Sequence, residues 1–494
     1  MEESDFVYKY GPVDVEWITP PESNRLVIRP YALNYFYQGK LHRMRGEHGS
    51  AVFELFFDLL YVGIVSTIAE AAIEEATGAA IGRYILLFMP AWLIWTDMRD
   101  FMNYYYNNDI TQKLYVLWIM VLLVVYANNA SSILDSKQQA GLVVGCYILA
   151  RFSAGTILFV YTFFVKEHRP QMRYFCLFAS VGLLIMGFII IAPLHGKIAI
   201  ASVCYAYDLV VFSIAYHPWF KKLIGASYST AVNIEHEVDR HGAFVVIALG
   251  EFLYVIVSST PAATGLNERT ARAICILVTA YCLSWFYFRG EGSKKAVHAL
   301  RRNVTTAYSF VFLHIPLVLS LVLAADASGA LVRSHELYPF TESAEATDEE
   351  TRSDYLHSVE IIYGSCLAIA LFCLTAMALC DKSLDPPKSR KIPLSIALGM
   401  RVAVAGTVFG MAFSRMKITL YVGLVALLIT LQLVFENYAE LPRRSSNSES
   451  IKNSGNSDTA GIPDGDYEKS NQTSQTSDTN HADRVQPEQI VEEL

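Results

Sequence analysis

Charge is what this 494-residue chain has least of: 17% of its residues are Asp, Glu, Lys or Arg, against 53% hydrophobic. A soluble globular chain carries about 25% charged residues, so the balance points away from one and toward a membrane protein with many spans. Paired cysteines are missing too. All eight cysteines, from Cys146 to Cys380, fall inside apolar runs and none forms a CxxC. They read as small buried hydrophobes, not as a disulfide framework or a zinc site. The N-terminus, MEESDFVYKYG, has no apolar core segment. No cleaved signal peptide is therefore expected, and targeting falls to the first span. There is no HExxH or HxxHH box, no GxSxG elbow and no P-loop. The expectation is a chain with no catalytic residues, no metal and no cofactor. The net charge of -8 is mostly local, since 11 acids and 5 basic residues from Glu440 onward supply -6 of it. Nothing in the charge favours a nucleic-acid partner.

What is present is apolar sequence in quantity. Twelve runs occur at about 53–73, 82–101, 113–133, 139–165, 172–193, 197–216, 242–260, 271–288, 304–326, 357–380, 392–413 and 417–436. Most approach the roughly 20 residues that a helix needs to cross a bilayer, so the expected fold is an all-α polytopic membrane bundle of about twelve helices. Loop charge tests the count, because short cytoplasmic loops are enriched in Lys and Arg. Clusters such as Lys40/Arg43/Arg45, Lys166/Arg169/Arg173, Arg301/Arg302 and Lys388/Arg390/Lys391 alternate with segments holding two basic residues at most. This places both termini in the cytosol and leaves open whether the membrane is plasma or internal. Residues 1–50 read as a cytosolic arm, 51–437 as the membrane domain with an acidic outer loop at about 327–356, and 438–494 as a disordered cytosolic tail rich in Ser, Asn, Thr and Asp.

An internal repeat is a further candidate. An offset of 193 sets FDLLYVGIVS (57–66) over GEFLYVIVSS (250–259), so that Asp58 meets Glu251. An offset of 190 sets LIWTDMR (93–99) over LSWFYFR (283–289). Chance likeness among apolar runs is the alternative to a parallel six-plus-six duplication.

Ionisable residues inside the runs are the candidate site, because a bilayer makes them costly. In FELFFDLLYVGIVS, Glu54 and Asp58 lie one helical turn apart on one face. Asp58 falls about 8 Å inside the cytosolic boundary at 1.5 Å per residue. Glu251, Asp208, His314, Arg151 and Arg401 fall near the middle of their helices. Two readings stand side by side: Glu251 and Asp208 as structural ion partners of Arg151 or Arg401, or as carboxylates that load and unload a proton or small cation. His314, read as the histidine placed deep in a span, is either a proton relay or a hydrogen-bonded core residue. Glu54, Arg240 and Asp239 belong to the boundary, where IEHEVDRHG (234–242) is either a solvated lead-in or an inner gate touching Glu54 or Arg99. Asn128 and Asn129 read as hydrogen-bonders between helices.

These residues carry a resemblance. FELFFDLLYV (53–62), RHGAFVVIALGE (240–251), WFYFRG (285–290) and LHIPLVLSLVLAADASG (313–329) resemble the low temperature requirement protein A family over roughly residues 50–330. That family's ELFFDLVFV pattern is matched at Glu54, Leu55, Phe56, Phe57, Asp58, Leu59 and Val62, and its ERFGLFxIxxLGE pattern at Arg240, Gly242, Phe244, Ile247, Leu249, Gly250 and Glu251. Asp239 stands where Glu is usual and His241 where Phe is usual. The long tail and acidic loop resemble a fungal member more than a compact bacterial one. The resemblance implies a multi-pass membrane protein and no defined activity. The ionisable layer favours a proton- or cation-linked transporter or channel with Asp58 and Glu251 as the titrating pair. A membrane-embedded lipid enzyme and a non-transporting sensor or scaffold are the alternatives. Expected partners are the lipid bilayer and protons or small ions, with the oligomeric state open.

Overall fold

The computed structural model describes residues 14–19, 26–45, 52–107, 109–258, 261–289, 296–334, 346–383 and 390–442, with backbone alone at 296–297, 346–352 and 383. Twelve helices in it are long and apolar enough to cross a membrane. They are α1 (Val52–Glu75), α2 (Gly78–Tyr105), α3 (Ile110–Ala130), α4 (Lys137–Phe164), α5 (Arg169–Met186, prolonged by a tight turn to Ile190), α6 (Leu194–Tyr216), α7 (Ile234–Val257), α8 (Glu268–Phe288), α9 (Val304–Arg333), α10 (Ala346–Cys380), α11 (Leu394–Met411) and α12 (Ile418–Glu440). Helix is the form these segments take because hydrocarbon offers no water to backbone N–H and C=O groups, which must pair within the segment. Large apolar side chains such as Leu117, Phe152, Leu184, Phe372, Leu431 and Val434 are exposed on the bundle. Such a surface belongs in lipid. The protein is an integral, multi-pass membrane protein.

The side of the bundle where α1 begins is here the proximal face, and the side where it ends the distal face. Short polar side chains close the ends of several helices. Thr77, Asp109, Ser136, Asn267 and Asn303 each accept a hydrogen bond from the backbone N–H three residues on. Pro90 lies inside α2 and has no N–H for the Leu86 carbonyl. The Tyr205 hydroxyl donates to that carbonyl at 3.2 Å, so a neighbouring helix satisfies what the proline frees.

The observed spans follow the expected ones with one instructive difference. Helix α7 starts at Ile234, well before the apolar run beginning at 242. The added turns carry His236, Glu237, Arg240 and His241, all buried. Hydropathy counts such residues as polar because it cannot see that they neutralise one another. At the other face, α9 continues to Arg333, which makes the start of the expected acidic loop helical. Residues 335–345 of that loop and the tail from 443 lie outside the described residues.

Two small sheets accompany the helices. The described part of the expected N-terminal arm forms β1 (Val15–Ile18), β2 (Asn34–Tyr37) and β3 (Lys40–Met44), and β4 (Tyr228–Thr230) joins from the α6–α7 connection. The strand order is β1-β3-β2-β4, with β1 parallel to β3 and the other pairs antiparallel. Gln38 and Gly39, at φ 49° and 76°, make the two-residue hairpin turn in the left-handed conformation that such turns need. The sheet is tied to the bundle by the Leu33 N–H, which donates to the Tyr104 carbonyl at 3.0 Å. A second ribbon pairs β5 (Ala296–Val297) with β6 (Lys382–Ser383).

Within the first six helices the packed neighbours are α1–α2, α1–α3, α2–α3, α2–α4, α2–α6, α3–α4, α4–α5 and α5–α6. The same pattern recurs in the last six, as α7–α8, α7–α9, α8–α9, α8–α10, α8–α12, α9–α10, α10–α11 and α11–α12. This recurrence is what a parallel six-plus-six arrangement requires. The halves meet where α1 and α2 pack against α7 and α9. Within the last six, close approach of α7 and α9 depends on Gly329 of α9, where an added Cβ would come within 2.9 Å of the Val255 Cβ on α7.

Candidate functional site

Three groups of buried charge bear on the candidate ion site. In the proximal half, Arg240 of α7 reaches across to α1 and grips Asp58 with both terminal nitrogens, at 2.6 and 2.7 Å. The Trp95 indole N–H donates to the same carboxylate at 2.9 Å. Glu54, one turn below, accepts from His236 at 2.8 Å and lies 3.2 Å from the Arg240 Nε. Beside this, Arg99 of α2 pairs with Asp100 at 2.7 Å and Glu237 at 3.2 Å, and donates to His241 at 3.0 Å. Glu54, Asp58, Arg99 and Arg240 are almost wholly buried. The bidentate fork and added donors are what let an ion pair persist away from water.

His314 completes this layer from α9. Its Nδ1 faces the Phe310 carbonyl at 2.7 Å, so that nitrogen carries the proton, and its Nε2 accepts from the Tyr287 hydroxyl at 2.9 Å. His241 is held alike, with Nδ1 on the Glu237 carbonyl at 2.9 Å and Nε2 accepting from Arg99. The two rings lie 4.4 Å apart. Both nitrogens of each ring are therefore occupied in the neutral form, which is the core reading of His314. The expectation of a single deep histidine is corrected: His241 is buried beside it, hidden in sequence because α7 seemed to begin later.

The second group joins α2, α4 and α6. Arg151 lies 2.7 Å from Asp97 and 3.5 Å from Asp208, and the Tyr147 hydroxyl donates to Asp208 at 3.2 Å. Arg151 and Asp208 thus meet as the ion-pair reading expects, with Asp97 as a second acid that sequence reading passed over. Arg401 lies elsewhere, paired with Glu436 at 2.5 Å, and Arg289 reaches the same carboxylate at 2.7 Å.

The third group has no cation in contact among the described residues. Glu251 of α7 is 0% exposed, and Asp326 of α9 is 7% exposed. One Glu251 oxygen accepts from the Ser66 hydroxyl of α1 at 2.9 Å; Glu251 Oε2 and Asp326 Oδ2 have no hydrogen-bond partner among the described residues. Asp326 lies within the electrostatic reach of Glu251 and the exposed Glu70, with Arg333 as the cation on that side. Counting from the helix ends at about 1.5 Å per residue, Glu251 and Asp326 lie roughly 10 Å inside the distal face.

This arrangement separates residues that sequence reading joined. Asp58 and Glu251 do not form a pair: Asp58 belongs to Arg240, and Glu251 lies about 16 Å further along α7 than Arg240 at helical rise. Glu54, expected at a solvated boundary or gate, is a buried member of the Asp58 network. Asp239 is on the exposed side of α7. The segment 234–242 makes the contacts of the sharper reading, Arg240 to Glu54 and Glu237 to Arg99, as buried helix and not as a solvated lead-in. Asn128 and Asn129 bond to carbonyls of their own helix, Val124 and Val125, not across helices. Asp326 was legible in LVLAADASG as an acid between small residues, but it sat at the presumed end of a span.

The fold defines a polytopic α-helical membrane protein in which buried ion pairs join the first six helices to the last six. Residues 50–434 match the family described as bacterial low temperature requirement A protein (LtrA), and the chain belongs to that family. The match runs past the 330 expected from the motifs, through α11 and most of α12. An uncharacterized protein, RA0937, of Rhizobium meliloti (strain 1021) is 22% identical over 280 residues, covering 55% of this chain and 67% of that one. No solved structure matches.

Proposed function

We propose that this protein is a proton- or cation-linked membrane transporter, and that Glu251 with Asp326 forms its ion site. The observation that carries this reading is the contrast in pairing. Asp58, Glu54, Asp208 and Glu436 each lie against a cation, while Glu251 and Asp326 are buried with an unpartnered oxygen apiece. A carboxylate held away from water and from fixed cations takes up a proton or a small cation in its place. The site lies where α1 of one half meets α7 and α9 of the other, so that relative movement of the halves would alter its access. Asp58 and Arg240 hold that junction together. The loop charges support a cytosolic proximal face, which puts the ion site nearer the outer side.

The test is flux into proteoliposomes carrying a pH-sensitive dye, with Na⁺, K⁺ and divalent cations supplied in turn. Wild type is expected to move protons with or against one of these ions, and Glu251→Gln and Asp326→Asn to abolish that movement while Asp239→Asn leaves it intact. Gradient-driven flux that survives both carboxylate substitutions would overturn the assignment of the site, and the absence of flux with every ion would overturn transport itself.

A further inference from the structure

A cavity of about 190 Å³ lies at the proximal face, between the sheet and helices α2, α6, α7 and α9. A water molecule's share of liquid volume is about 30 Å³, so the space is several times larger than one buried water. Its walls are mainly apolar and aromatic, with Phe36 and Leu41 from the sheet, Phe212 and Tyr216 from α6, and Val304 and Val311 from α9. Such a lining holds ordered water poorly.

Several of its charged residues are already paired. Arg43 is paired with Glu235 at 2.9 Å, and Arg99 with Asp100 and Glu237. Lys221 is different. It is 9% exposed, no carboxylate among the described residues pairs with it, and its ammonium has one acceptor, the Thr230 carbonyl at 3.4 Å. An ammonium has three donors to satisfy. Burial pushes this group down to about 8. Behind Thr230, which bonds Gln171 Oε1 at 2.9 Å, the buried Gln171 Nε2 has no partner either. Of these two donors Lys221 is the one that lines the cavity, with hydrogen-bonding capacity left over.

The lining also includes Tyr308, whose hydroxyl donates to the Ser213 carbonyl at 2.7 Å and so joins α9 to α6. Tyr308 and Val304 also line a second, open groove with Phe312, Leu313 and Ala376, along the proximal ends of α9 and α10. Val304 and Tyr308 are thus a wall common to the cavity and the open groove.

We infer that the cavity binds the anionic head of a single-chain lipid, a fatty carboxylate or an acyl phosphate ester, with the head on Lys221 and the chain leaving past Tyr308. The two head groups share one chemistry, an anionic oxygen cluster on an apolar chain. Lys221 supplies the charge and the aromatic walls exclude water around it. This inference is independent of the ion site, which lies toward the opposite face.

The test is native mass spectrometry of the full chain in a neutral detergent, with oleate, 1-oleoyl-lysophosphatidate, oleyl alcohol and inorganic phosphate added separately. Wild type is expected to retain one oleate or one lysophosphatidate and no oleyl alcohol. The anion retained tells the carboxylate from the phosphate source, and either supports the inference. Lys221→Met is expected to weaken retention by about 30-fold or more, the effect of removing one partner of a buried charge pair. Lys221→Arg should stay within about threefold of wild type, since the charge remains. Val304→Trp, which fills the cavity while leaving the lysine in place, is the second variant and should lose the lipid as well. Equal retention of oleyl alcohol, undiminished retention by both Lys221→Met and Val304→Trp, or inorganic phosphate binding as tightly as its oleoyl ester would each overturn it.

Discussion

The proximal and distal ends of the α1–α7 contact both bury carboxylates, and they solve the problem of buried charge in opposite ways. Proximally, Asp58 and Glu54 share Arg240, and Glu237 has Arg99. Distally, Glu251 has a serine hydroxyl and Asp326 has no cation in contact. The first arrangement recovers desolvation through bidentate geometry and fixes the relative position of the halves. The second leaves the acids without a fixed cation in contact among the described residues, which is the contrast on which the proposed ion site rests.

The comparison breaks most readily at Arg240. Arg240→Met strands Asp58 and Glu54 and is expected to cost about 3–5 kcal/mol of stability, because one charge of a buried pair is removed. Thermal or denaturant unfolding in detergent measures it, and Asp58→Asn added to Arg240→Met should recover part of the loss. Equal stability of wild type and Arg240→Met would mean that the network is not holding the halves.

A smaller effect comes from His168, just before α5 at the proximal face. It is buried between the Tyr105 hydroxyl at 3.0 Å and the Asn34 carbonyl at 3.1 Å, and burial pushes it down to about 4. The folded protein holds the neutral ring while the unfolded chain protonates near 6.5, so stability is full above about pH 6.5 and falls as pH drops toward 4. The loss across that window is about 3 kcal/mol at most, at 1.36 kcal/mol per unit. Unfolding midpoints of wild type and His168→Gln between pH 4 and 7 should converge as pH falls; parallel curves would refute the role of this ring.

Gly329 sharpens the comparison from the packing side. Gly329→Ala places a methyl against Val255 and is expected to cost about 1–3 kcal/mol, the usual penalty for overpacking. It should also reduce ion flux, since Glu251 is one turn from Val255 on α7. Wild-type stability and flux together would show that α7 and α9 can separate there freely.

The smallest effect on stability is expected at the presumed ion site. Glu251→Gln keeps the shape and the Ser66 contact and removes an unpaired acid, so the unfolding midpoint should change by less than about 1 kcal/mol while flux is lost. A loss as large as that of Arg240→Met would make Glu251 a structural residue like Asp58.

Much of this was legible because it is local. The FELFFD and LGE motifs identified the family, and Asp208 against Arg151 was one of the readings that the sequence left open. The remaining partners were not legible. Arg240 and Asp58 are 182 residues apart in the chain, and nothing in either segment names the other. The offset of 193 that set Asp58 over Glu251 does not align their helices: α1 starts at Val52 and α7 at Ile234, so Asp58 lies near the proximal end of its span and Glu251 near the distal end of its own. Hydropathy likewise assigned the first turns of α7 to a loop, because the charges there look solvated until their partners are placed.

By itself the sequence determined that this is a membrane bundle of twelve spans, since each span must satisfy its own backbone in hydrocarbon and so must be continuously apolar within one segment. The tertiary structure alone decided which buried acids are neutralised and which stand open. That depends on which side chains from distant spans meet inside the bundle, and a carboxylate has the same letter in either place.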